Sequence, residues 1–498
     1  MVIELITHNL ESLIMETLYD QNEWWTLGKV PPRLLLPFKR RDFYMIRNSL
    51  KDKKILAIVG PRQVGKTIVL YQLIDWLIEN GIDPKRILYN SFDFPYLDVI
   101  SKTPLDDLLK TYSTYILREP LPQLKKEVFI FLDEICKLKN WSRLLKGWYD
   151  LKYPIKFIIT DSSAAEILRG SSESLVGRIN PSIMMPMKFS DYVQYHWEKD
   201  ARKKPDIKHI SLQLRNAFHS ALVKRGGLKD LSGVFQEEAV STLTPYKRIL
   251  EIYLQEYVLK DGYPKLLEIK SLPDCAKELG DLLSLTLQKD LMRLFQIRNP
   301  ETLNGLVYLL AYQSSSLINY QSLASTLGVR VETVRDYIRY LQHIFLVSTS
   351  EFYTRMGGSR IRKQHKIYFT NVGLRNVILG MMNERLLRNP QALGVAVETL
   401  VHEHCKRIKF NLEQGTSSDL FYWRDKKGRE VDIVVELLGK PVPIEVKYKN
   451  DISDDDIKGL NAFLSKYSKT FGVVVTKDRL ELRKKMIYIP LWLFLMMC

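Results

Sequence analysis

The stretch "LAIVGPRQVGKTIVLYQLI" constrains this chain more than any other. Four apolar residues run into Gly60. The spacing GxxxxGKT closes on Gly65, Lys66 and Thr67, and an apolar helical pattern follows. Strand, tight glycine loop and helix are read in that order. Glycines let successive backbone N–H groups curl around an anion, and the new helix turns its N-terminus toward it. The expectation is a nucleotide-phosphate cradle made of Gly60, Pro61, Arg62, Gln63, Val64, Gly65, Lys66, Thr67 and Ile68. Lys66 would reach the β- and γ-phosphates, and Thr67 would give its hydroxyl to Mg²⁺. A chance glycine turn accounts for neither the strand before nor the helix after.

Residues 46–195 repeat the theme. Apolar runs "ILAIVG", "RILYNSF", "VFIFLDE" and "IKFIITD" alternate with helical patterns. Such runs predict an α/β fold with a parallel sheet covered on both faces. A phosphate cradle needs an acid at the end of a neighbouring strand, and "VFIFLDE" supplies Asp133 for Mg²⁺ and Glu134 to polarise an attacking water. The run "IKFIITDSS" ends in Thr160, Asp161, Ser162 and Ser163, which places Ser162 as a γ-phosphate sensor. Arg178, in "SLVGR", is a candidate arginine finger acting in cis or across a subunit interface, the latter implying a homo-oligomer. A plain surface arginine is the alternative.

At 498 residues the chain is too long for one core. The expected division is a helical lead-in at 1–45, a nucleotide domain at 46–195 and a helical lid or connector at 196–298. A winged helix-turn-helix domain at 299–384 and an α/β domain at 385–498 complete it. The formal charge of +17 favours an anionic partner, nucleic acid before a membrane surface. The four cysteines show no CxxC spacing, which argues against a zinc ribbon or a disulfide framework and suits a reducing cytoplasm. The apolar tail "MIYIPLWLFLMMC" is too short to span a bilayer and reads as a buried terminal strand or short helix.

"NYQSLASTLGVRVETVRDYIRYLQ" has the layout of helix, turn at Gly328 and second helix. Leu323, Leu327, Val334, Ile338 and Leu341 recur at the spacing of a buried face. A two-stranded wing follows, with basic residues near its tip: Arg355, Arg360, Arg362, Lys363 and Lys366. Arg335, Arg339, Arg360, Arg362 and Lys363 are the candidate DNA-phosphate contacts. A protein–protein module is the alternative, and Glu332 on the same helix weakens the groove-facing reading. The cluster Trp24, Trp25, Arg33, Lys39 and Arg40 reads as packing plus a solvated face.

"EVDIVVELLGKPVPIEVKYK" reads as a hairpin around a Gly439–Lys440 turn. Alternation brings Asp432 opposite Glu445, with Lys447 beside them on one wet face. Paired carboxylates repel unless a cation or a proton lies between them. Glu398, on the preceding helix "ALGVAVETLVHEHCKR", completes a set of Glu398, Asp432 and Glu445 that could hold a second divalent metal, with Lys447 to orient water. The run His402, Glu403, His404, Cys405 lacks the HExxH spacing of a zinc helix.

These motifs carry a resemblance. "GPRQVGKT", "LDEICKLKNWSRLLKGWYD", "DSS", "SLVGR" and "MMPMKFSDY" resemble the prokaryotic, often archaeal, AAA+ (STAND-like) P-loop ATPases with a C-terminal DUF4143-type domain. "LKDGYPKLLE", "VRVETVRDYIRYLQHIFLV" and "KIYFTNVGL" are similar to that domain. Glu398, Asp432, Glu445 and Lys447 together resemble the pattern of PD-(D/E)xK nucleases and Holliday-junction resolvases, hence a restriction-endonuclease-like α/β domain at 385–498. Two positions depart from the family: Asp161 stands where the sensor strand usually has glycine, adding charge near the γ-phosphate, and Asn371 replaces an acid. The main expectation, from the full phosphate-site motifs beside a basic winged helix, is a cytoplasmic ATPase using ATP and Mg²⁺ that binds DNA through the winged helix and couples nucleotide state to the nuclease-like domain; in the family such winged helices also pack on the nucleotide domain as a lid or relay. Two other readings differ in class: an ATP-gated, metal-dependent endonuclease on structured DNA, and an ATP switch that recruits a protein without DNA.

Overall fold

The computed structural model describes residues 2–93, 101–163, 175–200, 205–223, 240–295, 299–354, 363–412, 419–437, 439–467 and 470–497, together with single positions 228, 231, 233, 235 and 297. Arg355, Arg360 and Arg362 of the expected wing tip lie outside these. The chain divides into two compact units, Met1–Met185 and Pro186–Cys498.

In the first unit five strands form one parallel sheet: β1 (Ile55–Val59), β2 (Ile87–Ser91), β3 (Val128–Asp133), β4 (Ile155–Asp161) and β5 (Ile179–Ile183). Their order is β2-β3-β4-β1-β5. All five run in one direction, so the loops after β1, β3 and β4 leave from the same edge. The β-branched and aromatic runs of β1, β2 and β3 are buried throughout, as strands covered on both faces require. β5 was missed in the sequence because it is half-exposed and contains Pro181, which an edge strand tolerates.

The other edge, β2, is covered by the lead-in. Asn22 exchanges two hydrogen bonds with the Tyr89 backbone, at 2.8 and 2.7 Å. The indoles of Trp24 and Trp25 both donate to the Ile87 carbonyl, at 3.1 and 2.8 Å. These contacts give an exposed edge no template for further pairing.

The second unit is built on a nine-stranded mixed sheet, in the order β13-β14-β12-β11-β10-β9-β7-β8-β6. The strands are β6 (Ser316–Leu317), β7 (Val347–Phe352), β8 (Lys366–Phe369), β9 (Phe421–Arg424), β10 (Glu430–Leu437), β11 (Lys440–Lys447), β12 (Gly472–Thr476), β13 (Glu481–Arg483) and β14 (Met486–Pro490). Helices Tyr320–Leu327 and Val331–His343 meet at Gly328, in the left-handed region at φ +64. Leu323, Val334, Ile338 and Leu341 are buried. The β7–β8 ribbon that follows does not stand free. β7 pairs in parallel with β9 through Glu351↔Phe421 and Phe352↔Tyr422, so ribbon and C-terminal strands share one sheet.

Helix Pro390–Leu412, β9, β10, β11, helix Lys458–Lys466 and β12 follow one another in α–β–β–β–α–β order. The hairpin turn lies between Leu437 and Lys440, which pair, with Gly439 at φ +71. It therefore falls one residue earlier than the expected Gly439–Lys440. The tail forms both a strand and a helix: β14 leads into Leu491–Met496, and every residue of that helix is buried. Helices Phe189–Glu198 and Ile207–Val223 share this core with the tail, and Arg215 Nε donates to the Met497 carbonyl at 3.1 Å.

Candidate active site

The loop from Gly60 to Gly65 leaves the end of β1, and helix Lys66–Glu79 starts directly after it, with Ile68 in its first turn. Gly60 has no alternative: a Cβ there would lie 1.9 Å from the Met184 carbonyl oxygen. Gly65 caps the helix at φ +95, a conformation that side chains disfavour. Gln63 also has positive φ, at +59. Arg40 braces the loop from outside the motif, its guanidinium donating to the Val64 carbonyl at 3.0 Å and the Met185 carbonyl at 2.7 Å. Arg40 is buried, so its expected place on a solvated face is corrected. No spacing rule ties it to the loop, since it precedes the motif and reaches it through the fold.

The Lys66 ammonium donates to the Gly60 and Pro61 carbonyls at 2.9 and 3.1 Å and lies 3.9 Å from Glu134 Oε1. Thr67 Oγ1 donates to Asp133 Oδ2 at 2.8 Å. Two further hydroxyls reach Asp133: Tyr89 at 3.0 Å and Thr160 by a short bond. Glu134 sits at φ +53, where its N–H donates to Thr160 Oγ1 at 3.1 Å. Its Oε2 is 3.5 Å from Ser162 Oγ. Burial pushes the Glu134 carboxyl up to about 7, with Lys66 pulling against it and Asp161 and Asp133 adding to the rise. The Asp161 carboxylate accepts from the Ser163 N–H at 2.7 Å and the Cys136 N–H at 3.3 Å, so it ties the ends of β3 and β4 together. Tyr89 was missed in the sequence; it carries a hydroxyl on the strand next to the acid.

Arg178 lies at the other end of the sheet. The Ile55 N–H, at the start of β1, donates to the Arg178 carbonyl at 2.8 Å. The phosphate loop departs after Val59, roughly 15 Å away at about 3.3 Å per residue. The guanidinium pairs with Asp150 at 2.8 and 3.3 Å. An arginine finger acting in cis is ruled out by this placement, and that expectation is corrected.

In the second unit the hairpin register is the expected one. Ile433 pairs with Ile444, and Asp432 and Glu445 are the residues that flank this pair on β10 and β11. The β9–β10 ladder shifts between Val431 and Val434, and such bulges re-aim a side chain. Asp432 Oδ2 accepts from the Val446 N–H at 2.8 Å. Lys447 Nζ lies 2.7 Å from Glu445 Oε1 and 3.7 Å from Asp432 Oδ2. Glu398, on helix Pro390–Leu412, accepts from the Tyr368 hydroxyl at 2.9 Å. The face is not wet: Glu445 is 4% exposed, and its Oε2 is buried without a partner.

Lys366, read in the sequence as part of the basic wing, is instead buried in this cluster. Its ammonium lies 2.6 Å from Glu430 Oε1 and 3.4 Å from Glu398 Oε1. The signal was alternation: Lys366 and Tyr368 share one face of β8. Burial raises the Glu398 carboxyl to about 7, against Lys366, and pushes Glu445 well above the ordinary carboxylate range. Among the described residues, no group of three or more His, Cys, Asp or Glu side chains is arranged to hold a metal ion. His402 stacks on Tyr368 with ring centres 3.7 Å apart and hydrogen-bonds Ser350 at 2.8 Å.

On helix Val331–His343, Arg335 and Arg339 are exposed. Arg335 lies over the Tyr320 ring at 5.2 Å, and Arg339 pairs with Asp336 at 3.3 Å. Lys363 is exposed, 5.7 Å from the Phe352 ring centre. Asn371 caps helix Val372–Ile378 by accepting from the Leu374 N–H at 2.8 Å, a bond an aspartate would also make. Among the described residues, no helix is long and apolar enough to cross a membrane.

Three family models match in sequence: an AAA domain over residues 52–193, a domain of unknown function (DUF8612) over 251–385 and DUF4143 over 393–494. The chain is 25% identical to an uncharacterized protein of Methanocaldococcus jannaschii over 91% of its own length and 88% of that protein. It is 28% identical to an uncharacterized protein of Mycobacterium tuberculosis over 82% of its length and 74% of that chain. The Walker-type ATPase of Pyrococcus abyssi aligns at 14% identity and TM-score 0.40, covering 69% of this chain and 96% of that one. Relatives thus come from archaea and bacteria, and the three motifs likened to the DUF4143-type domain, LKDGYPKLLE, VRVETVRDYIRYLQHIFLV and KIYFTNVGL, fall within the DUF8612 match instead. The chain carries an AAA domain with the P-loop ATPase fold and a C-terminal DUF4143 domain.

Proposed function

We propose that the chain is a Mg²⁺-dependent ATPase that contacts DNA through a winged helix and couples nucleotide state to its nuclease-like C-terminal domain. One observation carries the ATPase: Lys66, Thr67, Asp133 and Glu134 converge at one sheet edge behind a glycine loop. The pairing of a hydroxyl with a carboxylate suits a hard, oxygen-seeking ion, so Thr67 and Asp133 would hold Mg²⁺. That ion would screen phosphate charge. Lys66 leaves the two carbonyls it now contacts and binds the β- and γ-phosphates. Glu134 accepts a proton from the attacking water, with Ser162 orienting it. In Lys66→Ala, nucleotide binding and turnover should fall by about a hundredfold or more; unchanged turnover would refute the reading.

The DNA role rests on the net charge of +17 and on exposed Arg335, Arg339 and Lys363. We assign the winged helix to 299–384, the nuclease-like domain to 385–498 and the lid or connector to 196–298. Binding of duplex DNA should persist at about 0.1 M salt, and Arg335→Ala should weaken it and lower the salt slope by about 1. No measurable binding at that salt would leave the protein-recruiting switch as the better reading. Arg178, far from its own phosphate loop, could act only across a homo-oligomer interface.

A further inference from the structure

We propose that the Lys366 ammonium is a tethered cation standing where a divalent ion would bind among Glu398, Asp432 and Glu445, so that the cluster accepts such an ion only when Lys366 is removed. This rests on the cluster alone and is independent of ATP turnover.

Four carboxylates meet here: Glu398, Glu430, Asp432 and Glu445. Lys366 lies between the first two, at 3.4 and 2.6 Å, with Arg424 also 4.0 Å from Glu430; Lys447 lies between the others, at 3.7 Å from Asp432 and 2.7 Å from Glu445. Two neutral donors also reach the cluster. Tyr368 donates to Glu398, and the Val446 N–H donates to Asp432. Glu445 Oε2 is buried and has no partner. The acids outnumber the ammoniums, so the cluster is short of positive charge.

A divalent ion needs several oxygens at about 2.0–2.6 Å around it. With Lys366 in place the residues do not fit that demand. Glu398 already shares its oxygen with an ammonium, and a second cation beside that ammonium would be repelled in a site with little water to screen it. Replacing the ammonium by a neutral side chain would free Glu398 and Glu430, in a cluster where Glu445 Oε2 is already buried without a partner.

The ammonium is also well placed to be withdrawn. It arrives on β8, the second strand of the basic ribbon, while Glu398, Asp432 and Glu445 come from the helix and hairpin that follow later in the chain. Lys363, three positions earlier, is exposed. A ligand held by the ribbon would bear on the strand that carries the plug.

The test is Mn²⁺ binding to the full chain without nucleotide, read by loss of the free-ion EPR signal. Asp432→Asn serves to identify the site. Wild type should show no Asp432-dependent site tighter than about 1 mM. Lys366→Met should gain one site about tenfold tighter or better, and Lys366→Met/Asp432→Asn should lose it. Lys366→Gln, which keeps hydrogen-bonding capacity, should behave like Lys366→Met and guards against misfolding of the latter. An Asp432-dependent site in wild type as tight as in Lys366→Met would overturn the proposal. So would folded Lys366→Met and Lys366→Gln proteins that gain no site. Failure of both variants to fold would also overturn it, because Lys366 would then be a structural ion pair.

Discussion

At the edge of the parallel sheet Asp133 is met by three neutral hydroxyls, from Thr67, Tyr89 and Thr160, whereas Asp432 and its neighbours are met by the ammoniums of Lys366 and Lys447. Both clusters are buried, and both satisfy carboxylate lone pairs. The hydroxyls do so without cancelling charge. Lys66, near this acid, is held on backbone carbonyls that a phosphate can replace. In the second cluster part of the charge is offset from within the chain by two ammoniums. The sign and count of the partners matter as much as the acids do.

The largest effect that would sharpen this contrast is at Glu134. Its carboxyl, raised to about 7 by burial, must be ionised to take a proton from water. The kcat/KM for ATP should therefore rise as pH increases through about 7 and fall below it. Glu134→Gln should cut turnover by about a hundredfold or more while ATP binding persists, and it should erase that pH step. A step that survives in the variant would place the titrating group elsewhere.

A smaller effect is expected at Glu398, where the measurement is stability. Lys366, Tyr368 and Asp432 face this carboxyl, and burial raises it from 4.5 to about 7. The folded state holds the proton more tightly than the unfolded state does. That contribution is complete below about 4.5 and is lost as pH rises through about 7. Denaturation at pH 5 and pH 7.5 should show wild type losing on the order of 1–3 kcal/mol more than Glu398→Gln over that interval. An equal loss in both proteins would mean that Glu398 stays ionised, held by Lys366.

The two clusters were unequally legible in the sequence. The first is written in a contiguous motif and in strand ends that one sheet direction brings together, so Lys66, Thr67, Asp133 and Glu134 were found by spacing. The register of Asp432 and Glu445 was equally local, because alternation within a short hairpin leaves little freedom. Arg40 and Lys366 were misread for one physical reason. Each is a cation in a basic stretch that would ordinarily be solvated, and each is buried by a partner far off in the chain, the Val64 carbonyl and the Glu398 and Glu430 carboxylates. The continuity of ribbon and C-terminal sheet likewise depends on β7 meeting β9 across 70 positions, from Phe352 to Tyr422, a pairing no local pattern encodes. The turn was placed one residue late because Leu438 and Lys440 are both plausible beside Gly439.

The smallest expected effect separates a fold-level fact from an assembly-level one. Arg178 stands at the start of β5, and the phosphate loop stands at the end of β1, its neighbour in the sheet. No rotamer of an arginine spans the length of the strand between them. In dilute, monomeric protein Arg178→Ala should leave ATP turnover within about twofold of wild type, the loss being confined to its exposed pair with Asp150. If turnover of wild type rises with protein concentration and that of the variant does not, Arg178 serves a neighbouring copy. A large loss at a concentration where the protein is monomeric would require the arginine to reach its own phosphate loop, and with it a different arrangement of β1 and β5.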